Sequence, residues 1–339
     1  MGLAPSSFGE LSMLKSTKLL AAAAVLCLAI PGTVLADGPR VLKIGFILAQ
    51  QSQLGAGTAG FAAELEKSSG GKFKIEQHPG ADLGDEVAMI KGLQLGTIDL
   101  AFITGAPLPS VVPEMGVLSI PFIFRDAKHA HAVLDGPIGT DLMAKFAPKG
   151  LVALAWGENG MRQITSAKRA IAAPEDLKGL KLRVPQNEVT VAGFKALGAD
   201  AAPLGFSELY GALQTGKFDA QENPIATIVA TKFYQVQKYL TVSNHQYDPA
   251  VIFATPDLWE DLSEADRAMF VKAAKIGGEA SRKFAAEAQD SGVATLEKEG
   301  MTVVKSIDRD KFSAALAPAM PAYDKMFGAD LIAKIRNQQ

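Results

Sequence analysis

An α/β protein of two lobes is what this 339-residue sequence predicts, and three observations carry that reading. Apolar runs alternate with segments of helical spacing, the alternation restarts after Lys149, and a periodic stretch reaching about Lys298 outlasts an ordinary globular helix. Residues 41–49 (VLKIGFILA) form an apolar, β-branched run suited to a buried strand, and residues 58–67 then place Phe61, Ala62 and Leu65 at helical spacing. Gly70-Gly71 ends that helix, and residues 73–78 alternate as a second strand. A helix over 85–94 leads through Gly96-Thr97 to a strand over 98–104. This β-α-β-α-β order predicts an open, mainly parallel sheet with helices on both faces, and ligands of such sheets bind beyond the strand carboxyl ends. The loops after Ala49, around 81–85 and after Ile103 therefore face a cleft.

After Lys149 strands are expected at 151–156, 162–166, 181–184 and 219–221, with helices at 190–197, 206–215 and 227–235. Residues 251–255 read as a strand returning to the first lobe. Ser263 and Asp266 fit a capping box ahead of the long helical stretch. Crossings near 160 and 250 assign 37–160 with 248–288 to lobe I and 161–247 with 289–339 to lobe II, a clamshell spanned by the long helix.

The first 36 residues read as a cleaved secretory signal peptide: Lys15 and Lys18, an apolar run of about 12 residues over 19–30, then Pro31-Gly32 and the small-residue exit Val34-Leu35-Ala36. A spanning helix needs about 20 residues. The polar extension ahead of Met13 suggests that translation starts at Met13. The single cysteine, Cys27, falls within the leader, so the mature chain carries no thiol and owes its stability to buried apolar area. Removing Glu10, Lys15 and Lys18 leaves 32 basic and 35 acidic residues, a net charge of −3 that gives no sign of a nucleic-acid partner.

Gly55-Ala56-Gly57-Thr58-Ala59-Gly60 matches the dinucleotide pattern GxGxxG, but residues 50–54 separate it from the strand end, where a phosphate turn needs its first glycine almost at once. It reads as a glycine-eased helix start beside the cleft. His129 and His131 lie two apart on a helix and so on different faces, which makes no metal site. Ser207 in GFSEL lacks a nucleophile elbow and reads as a helix cap. His245, in SNHQY beside a crossing, is a candidate for the ligand's surroundings, and no cofactor or metal is expected. The segment from Met161 to Tyr247 sets Arg162, Arg183 and Asn223 among prolines, glycines and apolar residues, which reads as a carboxylate-binding site in an exported protein. Arg183 sits at the end of KLRV, where the chain leaves the sheet at Val184-Pro185. Its planar fork serves either a ligand carboxylate or an ion pair within the lobe.

PEDLKGLKLRVP at 174–185, FKALGADAAPLGFSELYGALQTGKFDAQENP at 194–224 and KFYQVQKYLTVSNHQY at 232–247 resemble the solute-binding components of TRAP transporters, the DctP family. GADLGDEVAMIKGLQLGTIDLAF, SIPFIFRDAKHAHAVLDG and NGMRQIT add to it, so the likeness covers nearly all of the mature chain. It implies a two-lobed periplasmic-binding-protein fold, a monomer that closes on a small organic acid and passes it to a membrane permease pair. It also implies that Arg183 makes the main salt bridge to the ligand carboxylate, that Arg162 assists, and that Asn223 and Phe206 complete the site. Met161 stands where relatives carry an aromatic, and Gln50-Gln51-Ser52-Gln53-Leu54 replaces their first-loop His-Pro or Ser-His pair.

With Arg162, Arg183, Phe206 and Asn223 on one lobe, Gln53 and Asp85 are expected opposite them, with Thr104 next in line to read the ligand's far end. The glutamine loop favours hydroxyl, carbonyl or amide groups there, whereas LTVSNHQY resembles C4-dicarboxylate receptors. A C4-dicarboxylate stands first, ahead of a uronate, an aromatic 2-oxo acid or another monocarboxylate. The competing classes are a periplasmic enzyme acting on an organic acid, disfavoured by the missing catalytic chemistry, and a sensor serving a membrane kinase.

Overall fold

The computed structural model describes residues 38–339, so the expected leader and Cys27 lie outside the described residues. Among those described, nine strands form one mixed sheet: β1 (Arg40–Phe46), β2 (Phe73–His78), β3 (Leu100–Thr104), β4 (Val152–Ser166), β5 (Lys181–Val184), β6 (Asp200–Pro203), β7 (Ala220–Pro224), β8 (Tyr239–Ala254) and β9 (Thr302–Val304). The order is β2-β1-β3-β8-β4-β7-β5-β6, with β9 beside β8. β1 runs parallel to β2 and β3, and β5 runs parallel to β6 and β7. Between these two parallel sets stand the antiparallel strands β4 and β8, which belong to both.

The expected strands at 151–156 and 162–166 are thus one 15-residue strand, and the expected return strand at 251–255 is the end of a 16-residue one. Sequence patterning breaks β4 at GENG because glycine and asparagine read as a turn. Here they form a bulge instead. The pairing of β4 with β8 slips between Glu158 and Gly160, which leaves Asn159 extra, and Gly160 faces Asp248 with φ 128°. Both strands are buried along most of their length, which removes the alternation that marks a half-exposed strand.

Among the described residues twelve α-helices accompany the sheet: α1 (Gln53–Ser68), α2 (Glu86–Gln94), α3 (Ala127–Leu134), α4 (Pro137–Ala144), α5 (Glu188–Ala196), α6 (Leu209–Gln214), α7 (Ile225–Ala230), α8 (Pro256–Asp261), α9 (Glu264–Lys298), α10 (Arg309–Ala315), α11 (Met320–Phe327) and α12 (Ala329–Asn337). α1 begins five residues before the expected start, because Ser52 Oγ accepts the Gly55 amide at 3.2 Å and caps it. Gly55 lies in the first turn, where a Cβ would stand 2.0 Å from the Gln50 carbonyl oxygen, so the helix start does depend on this glycine, whereas Gly57 and Gly60 lie deeper in the helix. Gly57 and Gly60 serve helix packing: a Cβ at Gly277 of α9 would stand 2.6 Å from the Gly57 carbonyl oxygen, and one at Gly57 would stand 2.9 Å from that of Gly277. Ser207 is no cap either. It is exposed in a short 3-10 turn over Phe206–Glu208 that has no side-chain cap.

The 35-residue α9 starts as expected, with Ser263 Oγ accepting the Asp266 amide at 3.1 Å. It packs on α1 beside the first parallel set and on α7 beside the second, where Leu296 joins Ile225 and Phe233 in a core cluster. Phe46, Phe102 and Phe253 belong to the core of the first half, and Leu182, Val184 and Phe194 to a separate cluster in the second. The closeness of α1 and α9 is open to test by denaturant unfolding. Gly277→Ala should lower stability by about 1–3 kcal/mol through overpacking. Gly211→Ala, in α6 with open space around it, should gain up to about 1 kcal/mol.

Candidate functional site

The carboxyl ends of β1, β3, β5 and β7 point to one small cavity of ≈ 30 Å³. Ile47 and Leu48 follow β1, Thr104 ends β3 with Ala106 just beyond, Pro185 follows β5, and Asn223 lies near the end of β7. Arg162 and Asn159 line it from β4, Arg183 from β5, Glu86 from the start of α2 and Phe206 from the loop after β6.

The two arginines are equally buried and oppositely partnered. Arg162 is 1% exposed and paired with two carboxylates: Nε bonds Glu222 Oε2, Nη2 donates to Glu222 Oε1 at 2.9 Å and Nη1 donates to Asp248 Oδ2 at 2.7 Å. Burial works against its charge, and the two carboxylates outweigh burial, so its pKa lies above the ordinary arginine value. Arg183 is 2% exposed, and its Nε and Nη2 both donate to the Leu204 carbonyl, at 2.9 and 2.6 Å. Among the described residues it makes no ion pair with a carboxylate, and burial pulls its pKa down to about 10. A cation so placed is costly unless an anion meets it.

Glu86 is the acid of the cavity. Its carboxylate accepts the Thr104 amide at 2.7 Å and the Thr104 hydroxyl at 3.0 Å. Burial nonetheless raises its pKa to about 7, helped by the charges of Asp248 and Asp85. Asn159, the bulge residue, receives Gln53 Nε2 at 2.6 Å and donates to Asp248 Oδ2 at 2.7 Å. Asn223 Oδ1 is 3.4 Å from Arg162 Nη2.

Of the residues singled out from sequence, Arg183, Arg162, Asn223, Phe206 and Thr104 meet at this cavity, and three do not line it. Gln53 is the buried first residue of α1, spent on Asn159 and on Thr227 Oγ1 at 3.0 Å, so the glutamine loop does not face the cavity. Its early helix start turns it inward. Asp85 caps α2 through the Glu86 amide, 2.7 Å away, and stands at the rim against Gly205, where a Cβ would be 2.5 Å from Asp85 Oδ2. His245 sits behind the cavity, held by Ser243 Oγ at 2.8 Å and Glu222 Oε2 at 3.2 Å, and burial lowers its pKa. Glu86 and Asn159 went unassigned. Glu86 was legible as the residue after the α2 cap at a strand-end loop, whereas Asn159 depends on a bulge that no local pattern announces.

The model of bacterial extracellular solute-binding proteins, family 7 (DctP), matches residues 44–328. The chain belongs to the DctP family of solute-binding proteins. The 2,3-diketo-L-gulonate-binding periplasmic protein YiaO of Escherichia coli K12 is 35% identical over 301 residues, 88% of this chain and 92% of its own. The TRAP periplasmic solute-binding protein of Polaromonas sp. JS666, bound to D-erythronate, superposes with a TM-score of 0.87 at 43% identity, covering 88% of this chain and 99% of that one. That of Bordetella bronchiseptica, with density assigned to pantoate, gives 0.86 at 42%, covering 88% and 99%. This DctP-family chain is accordingly a two-lobed TRAP solute receptor for small organic acids, and its relatives are solute-binding proteins of transporters rather than enzymes.

Glu86 gives this receptor a testable pH dependence. Folded, the carboxyl keeps its proton to about pH 7, against an ordinary value of 4.5, so ionising it opposes folding and its effect on stability falls as pH rises between those values. Glu86→Gln should gain stability relative to wild type across that window, by up to about 3 kcal/mol at its upper end. Chemical denaturation of both proteins from pH 4.5 to 8 checks this, since the shifts of Asp248 and Glu222 are common to both.

Proposed function

We propose that this receptor captures a short hydroxy monocarboxylate, a sugar acid of about four carbons, and that Arg183 binds its carboxylate as a bidentate pair. The observation that carries the reading is the buried, carboxylate-free guanidinium of Arg183 beside a second arginine already matched by two carboxylates. One available cation suits one ligand carboxylate. Glu86, Thr104, Asn159 and Asn223 offer polar groups to hydroxyls, and Ile47, Leu48 and Phe206 shape the remainder. The ligands named for the Polaromonas and Bordetella relatives, erythronate and pantoate, have this chemistry. A hydroxy monocarboxylate therefore stands ahead of a C4-dicarboxylate.

In this reading 37–160 with 248–288 and 161–247 with 289–339 are lobes that shut over the acid, with Asp85 meeting Gly205 at the rim. The chain is exported by a leader at 1–36, works in the periplasm as a monomer without catalysis, and hands its ligand to the TRAP permease subunits.

Calorimetry with D-erythronate tests the site. Arg183→Ala should lose about 3–5 kcal/mol of binding, two to four powers of ten in affinity. Arg183→Lys should recover little, because a point charge does not copy the fork. Binding by Arg183→Ala within threefold of wild type would remove Arg183 from the ligand's first contacts.

A further inference from the structure

Asp248 is the unexplained carboxylate beneath the cavity. It lies on β8 opposite Gly160, next to the bulge, and is 1% exposed. Its Oδ2 accepts Arg162 Nη1 and Asn159 Nδ2, each at 2.7 Å. Its Oδ1 is buried without a hydrogen-bond partner among the described residues, packed where the Gly105 backbone leaves no room for a side chain: a Cβ there would be 3.0 Å from it. A carboxylate left half-satisfied in so dry a place is destabilising. Arg162 does not need it for neutrality, because Glu222 already takes Nε and Nη2.

From this geometry we infer that Asp248 sets the charge of the ligand: as a second carboxylate on an arginine that Glu222 already neutralises, it leaves Arg183 as the single uncompensated cation beside the cavity, and so holds the receptor to monoanions. The inference rests on the monocarboxylate reading and supplies its cause. The groups around the cavity make the charge balance plain. Two guanidiniums, Arg162 and Arg183, face the carboxyls of Glu222, Asp248 and Glu86, with Asp85 at the rim and His245 behind Glu222. One ligand carboxylate is matched by Arg183. A second would find no uncompensated cation and would be repelled by Asp248 and Glu86 in a medium that screens poorly. Without the Asp248 charge that repulsion weakens, Arg162 keeps Glu222 as its one carboxylate beside the cavity it lines, and a second ligand carboxylate is better tolerated.

The test separates charge from shape by using one skeleton, malate as the dianion and its 4-methyl ester as the monoanion, with D-erythronate as the reference ligand, all by calorimetry at pH 8. Wild type should bind the ester at least about tenfold more tightly than malate. In Asp248→Asn and in the smaller Asp248→Ser that ratio should fall by about tenfold, equal to about 1.4 kcal/mol. In Arg162→Gln/Asp248→Asn, where a positive charge is removed together with the negative one, it should return toward the wild-type value. A merely structural role would weaken both ligands together and leave the ratio alone. Wild type that binds malate within threefold of its ester overturns the inference whatever the variants do. So does an unchanged ratio in the Asp248 variants when wild type binds D-erythronate. Wild type that does not bind D-erythronate, indistinguishable from Arg183→Ala, overturns the monocarboxylate reading itself.

Discussion

The guanidinium of Arg162 is gripped by carboxylates from two neighbouring strands at the place where the sheet changes from one half to the other. Glu222 comes from β7 and Asp248 from β8, while Arg162 itself stands on β4 just after the bulge. Placing three ionised groups where water does not reach is expensive, and geometry this tight is what offsets the cost. Removing one partner would leave the others uncompensated, so the three strands are held in one arrangement at the crossing. Asn159, Asn223 and His245 take their positions from it through direct hydrogen bonds.

Arg183 shows what the same side chain becomes without such partners. It is as buried as Arg162, but a single backbone carbonyl at Leu204 receives two of its donors. The fold therefore carries one arginine that completes the protein and one that needs something from outside. Binding specificity comes from that inequality more than from the number of polar groups around the cavity, because a neutral amide or hydroxyl can serve many ligands and an unmatched buried cation cannot.

Much of this was legible in the sequence, and the failures have physical reasons. The strand carrying Arg183 was placed at its observed bounds, since KLRV alternates charged and apolar residues and is ended by proline. The capping pair Ser263 and Asp266 marked the start of α9. The GENG segment of β4 misled because a bulge and a turn draw on the same residues. Gln53 was assigned to a loop that the Ser52 cap turns into helix, which moved its amide from the cleft to the interior. That Arg162 is already matched could not be read locally: its partners stand 60 and 86 residues away along the chain.

The sharing of β4 and β8 between the two halves has a practical consequence for anyone who would take this receptor apart. Each half is assembled from separate stretches of chain, so neither corresponds to a contiguous gene segment, and a truncation ending anywhere near residue 160 or 248 strips a central strand from both. A split or single-half version should not fold. Foreign sequence is better placed at the glycine turns that have open space around them, such as Gly70-Gly71, Gly179 or Gly300. An optical reporter inserted at one of these would leave both shared strands whole, and the receptor could then signal acid capture as a change in light.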